Sequence, residues 1–289
     1  MALVHLNGIN LFVETAGAGS PVVLVHASWF DHADWNLVAP LIAHEHTVVT
    51  YDRRGHGQSA DSSSPGTYGD DADDLLAVLA DVVGAPAHVV THSSSGIIAL
   101  IAAMRRQEAF ASLNMHEPPL FDLLAGDPKA GPILRPIREG LASVREKLER
   151  GAFESAALEF SNDVSFGPGA WESELGADSR ARMIANAPTF LDELRQPERL
   201  SLDLTALSTF RAPILLTVGS ESPPLRWMMH DHIRAAVPLA REYVFAGARH
   251  APHRTDPGMF ARVVKAFATG SWPMPTEAGP AGRQHRVAE

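Results

Sequence analysis

The chain has 289 residues, 45% of them hydrophobic, with a formal net charge of -10 and no cysteine. That length accommodates one large α/β domain or two modest ones, with enough apolar content for a sizeable core. The acidic balance disfavours a general nucleic-acid partner, and the lack of cysteine excludes disulfides, thiolate metal sites and a cysteine nucleophile.

The segment Met1-Ala2-Leu3-Val4-His5-Leu6-Asn7-Gly8 carries neither a basic stretch nor a long apolar one, so no secretory signal is expected. No apolar run reaches the length of a membrane span, and a soluble, cytoplasmic protein is the expectation. Residues 3–16 read as two short strands joined by Asn7-Gly8, a dipeptide suited to a tight hairpin turn. Pro21–His26 and Thr47–Asp52 are continuous apolar runs ending in polar residues, as expected of strands buried on both faces. Between Asp70 and Val83 the spacing of Leu75, Leu76, Leu79, Val82 and Val83 predicts a helix. Its acidic first turn (Asp70, Asp71, Asp73, Asp74) is expected to be solvated at the positive end of the dipole, with Gly84 as the stop.

Strands are then predicted at 87–92, 111–117, 213–218 and 242–246, with helical segments between them. This alternation predicts an α/β fold, a doubly wound and mainly parallel sheet. Residues 118–204 break the rhythm with helical patterns around Ile133–Leu148, Phe153–Phe160 and Met183–Leu194. They read as a helical cap inserted between the two parts of the core, 1–117 and 205–268. The Gly- and Pro-rich residues 269–289 read as a flexible tail.

Val89-Val90-Thr91-His92-Ser93-Ser94-Ser95-Gly96 carries the most chemistry. A buried strand, a sharp turn of small residues and an apolar helix lift one serine out of the end of a sheet. Thr91, Ser95 and Gly96 are the small residues that let strand and helix approach, although glycine is usual where Thr91 and Ser95 stand. The same octapeptide also reads as an ordinary strand–turn–helix with serine capping the helix.

Together with Tyr51-Asp52-Arg53-Arg54-Gly55-His56-Gly57-Gln58-Ser59 and Gly247-Ala248-Arg249-His250, this segment resembles the α/β-hydrolase family across residues 3–268. The resemblance implies Ser93 as nucleophile and His250 as its general base. It also implies an oxyanion hole made by the backbone amides of Ser94 and of Ser28, in the loop His26-Ala27-Ser28-Trp29. Ala27 replaces the glycine usual there, and Ser28 also reads as a loop serine with no role. In the loop Gly219-Ser220-Glu221-Ser222-Pro223-Pro224, Ser222 stands where many relatives place the triad aspartate. The acid is then Glu117, Glu221 or another group, or else the triad is incomplete. Glu117 ends the strand after the nucleophile's helix, and Pro118 biases it toward an extended backbone. Met115-His116-Glu117-Pro118-Pro119 resembles the corresponding segment of the zearalenone-type lactone hydrolases, which places the acid at Glu117.

These groups imply hydrolysis of a bulky hydrophobic carboxylic ester or lactone through an acyl-enzyme. Trp29, Phe121, Trp171 and Trp227 are the first candidates to line the substrate pocket, with Phe30, Phe153, Phe160, Phe166 and Phe190 behind them. A carbon–carbon bond hydrolase and a non-enzymatic small-ligand receptor are the alternatives on the same framework. The pairs His44/His46 and His230/His232 are spaced by two, which suits no metal pair on a helix. No metal and no cofactor are implied. His92 reads as structural and His253 as a surface-loop histidine. The expected partner is a small hydrophobic ester or lactone, with no nucleic acid and no membrane, and with a homodimer as the assembly allowed.

Overall fold

The computed structural model describes residues 1–59, 66–196, 202 and 204–272. Its eight strands form one sheet. β1 (Ala2–Leu6) and β2 (Ile9–Ala16) make a hairpin whose turn places Asn7 and Gly8 at φ 44° and 79°, a left-handed backbone that Asn-Gly adopts at low cost. β3 (Pro21–Val25), β4 (Thr47–Tyr51), β5 (Ala87–His92), β6 (Phe110–His116), β7 (Ile214–Gly219) and β8 (Arg241–Phe245) follow. The spatial order is β1-β2-β4-β3-β5-β6-β7-β8, parallel from β4 to β8 and antiparallel at β1-β2 and β2-β4.

The helices are α1 (Ala39–Ala43), α2 (Tyr68–Ala77), α3 (Ser95–Arg105), α4 (Ala130–Glu149), α5 (Phe153–Glu159), α6 (Ala170–Ser173), α7 (Ala177–Ala185), α8 (Ala187–Leu194), α9 (Pro224–Ala236), α10 (Pro252–Thr255) and α11 (Pro257–Ala268). The period-2 geometry of a strand explains why the apolar runs are continuous: alternate residues serve two cores. Val23 and Val25 of β3 and Val89 of β5 pack with α2 and α3 on one face. Val22 and Leu24 of β3 and Val90 of β5 pack with α1 and α11 on the other. Each such fully buried Val, Leu or Ile stabilises the fold by roughly 1.5–3 kcal/mol.

The helix expected over 70–83 divides in two. α2 starts at a capping box between Thr67 and Asp70, and after Ala77 the chain widens into a π-helical stretch, Val78–Val83, that Gly84 ends at φ 70°. The acidic first turn is not simply solvated, contrary to expectation. Asp71 and Asp74 are buried because the loop after β4 presses two consecutive arginines against them. Arg53 donates to Asp71 from Nε at 3.2 Å and Nη2 at 2.7 Å, and Arg54 holds Asp74 through two bonds of 2.7 Å.

Arg53 also reaches the cap, donating from Nη2 to Glu193 of α8 at 2.9 Å. Replacing it by methionine leaves two buried carboxylates without their cation. Arg53→Met is therefore expected to destabilise the fold by about 3–5 kcal/mol, read as a lower urea midpoint at unchanged slope.

The cap helices α4 to α8 do not close a core of their own. Val144, Leu148, Ala156, Ala157, Met183 and Phe190 pack with Ala27, Trp29, Phe30 and Ala251, which belong to loops at the carboxyl edge of the sheet. Among the described residues no helix is long and apolar enough to cross a membrane. The predicted flexible tail lies outside the described residues from position 273 onward.

Candidate active site

Ser93 sits between β5 and α3 at φ 55°, a region costly for a residue with a Cβ and found where surrounding structure enforces it. Its amide donates to His116 O at 2.9 Å, which anchors the turn to the neighbouring β6. The close approach that requires small residues is measurable at Gly96: a Cβ there would lie 2.7 Å from Cβ of Pro118. The two departures from glycine are absorbed by hydrogen bonds. Thr91 Oγ1 donates to Asn114 O at 3.2 Å, and Ser95 Oγ donates to Val25 O at 2.8 Å while accepting from the His92 amide at 3.0 Å.

His250 follows β8, and its Nδ1 lies 2.7 Å from Glu117 Oε2. The other oxygen of Glu117 accepts from the Gly219 amide at 2.9 Å and from Ser222 Oγ at 2.5 Å. Ser222, at the position usual for an aspartate, thus serves a carboxylate delivered from β6. Glu221 is exposed, with its amide bonded to Ala248 O. Glu117 does not take the extended backbone that Pro118 favours. Its φ is 47°, enforced by its amide bond to Thr217 O at 3.2 Å and by its buried carboxylate contacts. Burial opposes the charge of Glu117, yet His116, the His250 bond and the Arg226 guanidinium hold its pKa well below the ordinary carboxylate range. Burial, followed by the charge of Arg226, pushes the pKa of His250 down to about 4 against the attraction of Glu117. At neutral pH the pair is a neutral imidazole on an ionised carboxylate.

His92 supports this histidine from below, its Nε2 donating to His250 O at 2.7 Å. His253 is fully buried, unlike the surface histidine expected from sequence. The short α10 turns it inward against the His92 ring (4.4 Å between centroids), with Nε2 at 3.3 Å from Asp34.

The loop after β3 is braced by the loop after β4. His26 donates from Nδ1 to Ala27 O and accepts from the Arg53 amide on Nε2, both at 2.9 Å. Asp52 accepts from the amide and Nδ1 of His32 and from the Gln58 amide. Gly57 is required there, since a Cβ would lie 2.3 Å from Asp52 Oδ2. The Ser28 amide, expected to face an oxyanion, donates instead to Ser94 Oγ at 2.8 Å. Ser94 Oγ also lies 2.7 Å from Ser28 Oγ, which in turn donates to the carboxylate of Glu193. Tyr68 completes this buried chain with its hydroxyl on Glu193 at 3.0 Å.

One cavity receives Ser93, Ser94, Ser28 and His250, with about 610 Å³ of empty space including its open mouth. Ser93 Oγ makes no hydrogen bond to another described residue, although it shares this cavity with His250. Of the expected aromatic lining, Phe121, Phe30, Phe160, Phe166 and Phe190 are present. Trp29, Trp171 and Trp227 are not. Trp29 is buried behind the wall, against Phe160 and Phe190. Trp171 is inside the cap core with Arg180 over its ring. Trp227 lies on α9 beside His230, and its predecessor Arg226 faces the cavity in its place. Phe153 also stays in the cap core.

Sequence reasoning missed Tyr68, Glu193 and Arg226. A signal existed for Arg226: it is a cation in the first turn of a helix that follows Pro223-Pro224, where the helix dipole disfavours positive charge.

His116, Glu117 and His250 bring ligand-type atoms within 4.8 Å of one another, as do Asp34, His92 and His253. Glu117 is already committed to three donors. Asp34 binds the guanidinium of Arg254 at 2.7 Å, a cation that opposes a metal ion in the same place. His230 and His232 diverge, one to Glu242 and the other to Asp127.

Comparison with known proteins agrees with this architecture. The chain is 35% identical to the uncharacterized hydrolase YraK of Bacillus subtilis over 122 residues, which span 42% of this chain and 45% of that protein. It is 25% identical to RutD of Azorhizobium caulinodans over 273 residues, 92% of this chain and 98% of that one. The structure of a thermophilic esterase from Thermogutta terrifontis superposes with a TM-score of 0.73 at 20% identity, covering 91% of this chain and 94% of its own. An alpha/beta hydrolase from Sphaerobacter thermophilus gives 0.71 at 25% identity, with coverages of 90% and 97%. Residues 22–263 match the model of the alpha/beta hydrolase family, to which this chain belongs.

Proposed function

We propose that the protein is a serine hydrolase that cleaves a carboxylic ester or lactone through an acyl-enzyme on Ser93. The observation that carries this reading is the buried pair of His250 and Glu117, 2.7 Å apart, opening on the cavity that holds Ser93. With Nδ1–H donated to the carboxylate, Nε2 is left with the lone pair that takes the proton of Ser93 Oγ. Ser93 Oγ then attacks the acyl carbon, and His250 returns the proton to the leaving alcohol. Water deacylates the serine by the same route in reverse.

The Ser94 amide, at the start of α3 where helical N–H groups lack intrahelical acceptors, and the Ser28 amide are the donors for the tetrahedral oxyanion. Ser94 Oγ holds the Ser28 amide until the oxyanion replaces it. The aromatic wall suits a bulky apolar group.

His250 must be neutral to act, so kcat/KM is expected to rise with pH through an ionisation near 4 and to stay level through neutrality. A pH–rate profile on an uncharged ester checks this. An inflection near 7 would show that His250 is not held as described.

A panel of aryl esters, macrolactones, an aryl carbamate and a diketone tests the reaction class. The name of RutD is that of a carbamate hydrolase, and the diketone tests carbon–carbon cleavage. Fastest turnover of an ester or lactone is expected. Absence of turnover on all four would favour the receptor reading.

A further inference from the structure

We infer that Arg226 is a carboxylate-binding residue of the substrate cavity, and that the substrate is an ester or lactone that also bears a carboxylate. This rests on the hydrolase reading above and adds the chemical class of the substrate.

Arg226 is buried, yet it lines the same cavity as Ser93 and His250. A guanidinium has five N–H donors in a planar fork. The structure gives it one long hydrogen bond, Nη1 to Glu117 O at 3.4 Å, and one distant charge contact, Nε to Glu117 Oε2 at 3.7 Å. The remaining donors have no partner among the described residues.

A purely structural counter-ion would sit closer. Glu117 is instead satisfied by His250, Gly219 and Ser222 at 2.5–2.9 Å, which leaves Arg226 the outer place. Its position compounds the imbalance, since it lies in the first turn of the 13-residue α9, at the positive end of the helix dipole. Burial disfavours its charge, with Glu117 the carboxylate that offsets this.

Much of the lining that Arg226 shares is apolar. Pro119, Phe121 and Leu141 line the cavity with it. A cation held in such surroundings with spare donors is costly unless a ligand completes it. The planar fork matches a carboxylate through two parallel bonds. An amphipathic substrate, apolar against the phenylalanines and anionic at Arg226, satisfies both kinds of lining at once.

Two substrate series test this. Hemiesters of linear dicarboxylic acids place the carboxylate on the acyl side, and butyrate esters of linear ω-hydroxy acids place it on the alcohol side. Each is compared with its methyl-capped neutral analogue at every chain length. In the wild type one series is expected to show a preference in kcat/KM of about 10- to 100-fold for the charged member over a narrow range of lengths. Arg226→Gln is expected to abolish that preference, and Arg226→Lys to retain part of it.

Because Arg226 lies beside Glu117, the variants are read by the charged-to-neutral ratio, which a mere positioning role would leave unchanged. Equal losses on both members would overturn the inference, as would neutral substrates turned over by the wild type without preference at any length in either series. The wild-type length profile needs no variant, so a misfolded Arg226→Gln does not decide the matter. If no ester is hydrolysed at all, the hydrolase reading fails and this inference falls with it.

Discussion

Glu117→Gln is expected to lower kcat/KM by about 10²- to 10⁴-fold on any substrate the protein hydrolyses. Glutamine keeps the shape of the side chain, and its carbonyl can still accept from Gly219 and Ser222. Its amide, however, presents N–H to His250 Nδ1 where the carboxylate presented an acceptor. The imidazole must then accept on Nδ1 and carry its proton on Nε2, the atom that has to receive the proton of Ser93. The charge that stabilises the imidazolium is lost as well, and Arg226 loses its counter-charge. Glu221→Gln removes an exposed carboxylate with no contact to His250, so its rate should stay within about twofold of wild type, as surface changes usually do. Steady-state kinetics of the two variants on one aryl ester separates the candidate acids. Equal rates for Glu117→Gln and wild type would remove Glu117 from the mechanism.

Ser93→Ala is expected to have the larger effect, a loss of about 10⁴-fold or more in kcat. The hydroxyl is the only group in the proposed scheme that forms a bond to the acyl carbon. Whatever hydrolysis remains must come from water activated by His250 and held by the oxyanion donors. The methyl group fits the space of the hydroxymethyl, and φ 55° is no harder for alanine than for serine. Stability should therefore change little, and a thermal melt beside the kinetics distinguishes lost chemistry from lost fold. Retained turnover would point to another nucleophile in the cavity, whose lining also holds the hydroxyls of Ser94 and Ser28.

The sheet was legible in sequence because its signals are local. Runs such as Val22–Val25 must be strands when both neighbouring layers are apolar, and Asn7-Gly8 and Gly84 announce a turn and a stop through their backbone freedom. The positions of Ser93, Glu117 and His250 were legible because each follows a strand at the carboxyl edge, where open α/β sheets place their ligands. What sequence did not convey depends on contacts between distant segments. Pro118 argued for an extended Glu117, but bonds from β7 and its following loop hold it at positive φ. Asp71 and Asp74 looked solvated until Arg53 and Arg54 were placed opposite them. Trp29, Trp171 and Trp227 are large and apolar, and so equally suited to a core. Which aromatics face the cavity is decided by packing between distant segments, as where Trp29 packs behind Phe160 and Phe190 of the cap.

The Ser28–Ser94 contact is the clearest instance of a geometry that no motif announced. The Ser28 amide, expected from sequence to face an oxyanion, donates instead to the hydroxyl of Ser94. The same contact is tied through Ser28 Oγ to Glu193 of the cap, which holds the loop after β3 against α8. In the proposed mechanism this tie would preorganise the Ser28 amide as an oxyanion donor.

The central claim is that Ser93 becomes covalently acylated. The direct measurement is intact-protein and peptide mass spectrometry after reaction with an aryl alkylphosphonate or, under acid quench, with a slowly deacylating aryl ester. A single adduct on the peptide carrying Ser93 in the wild type, absent in Ser93→Ala and markedly slowed in Glu117→Gln, is the predicted result. Hydrolysis of the ester without any adduct at Ser93, or with an adduct on a different residue, would contradict it.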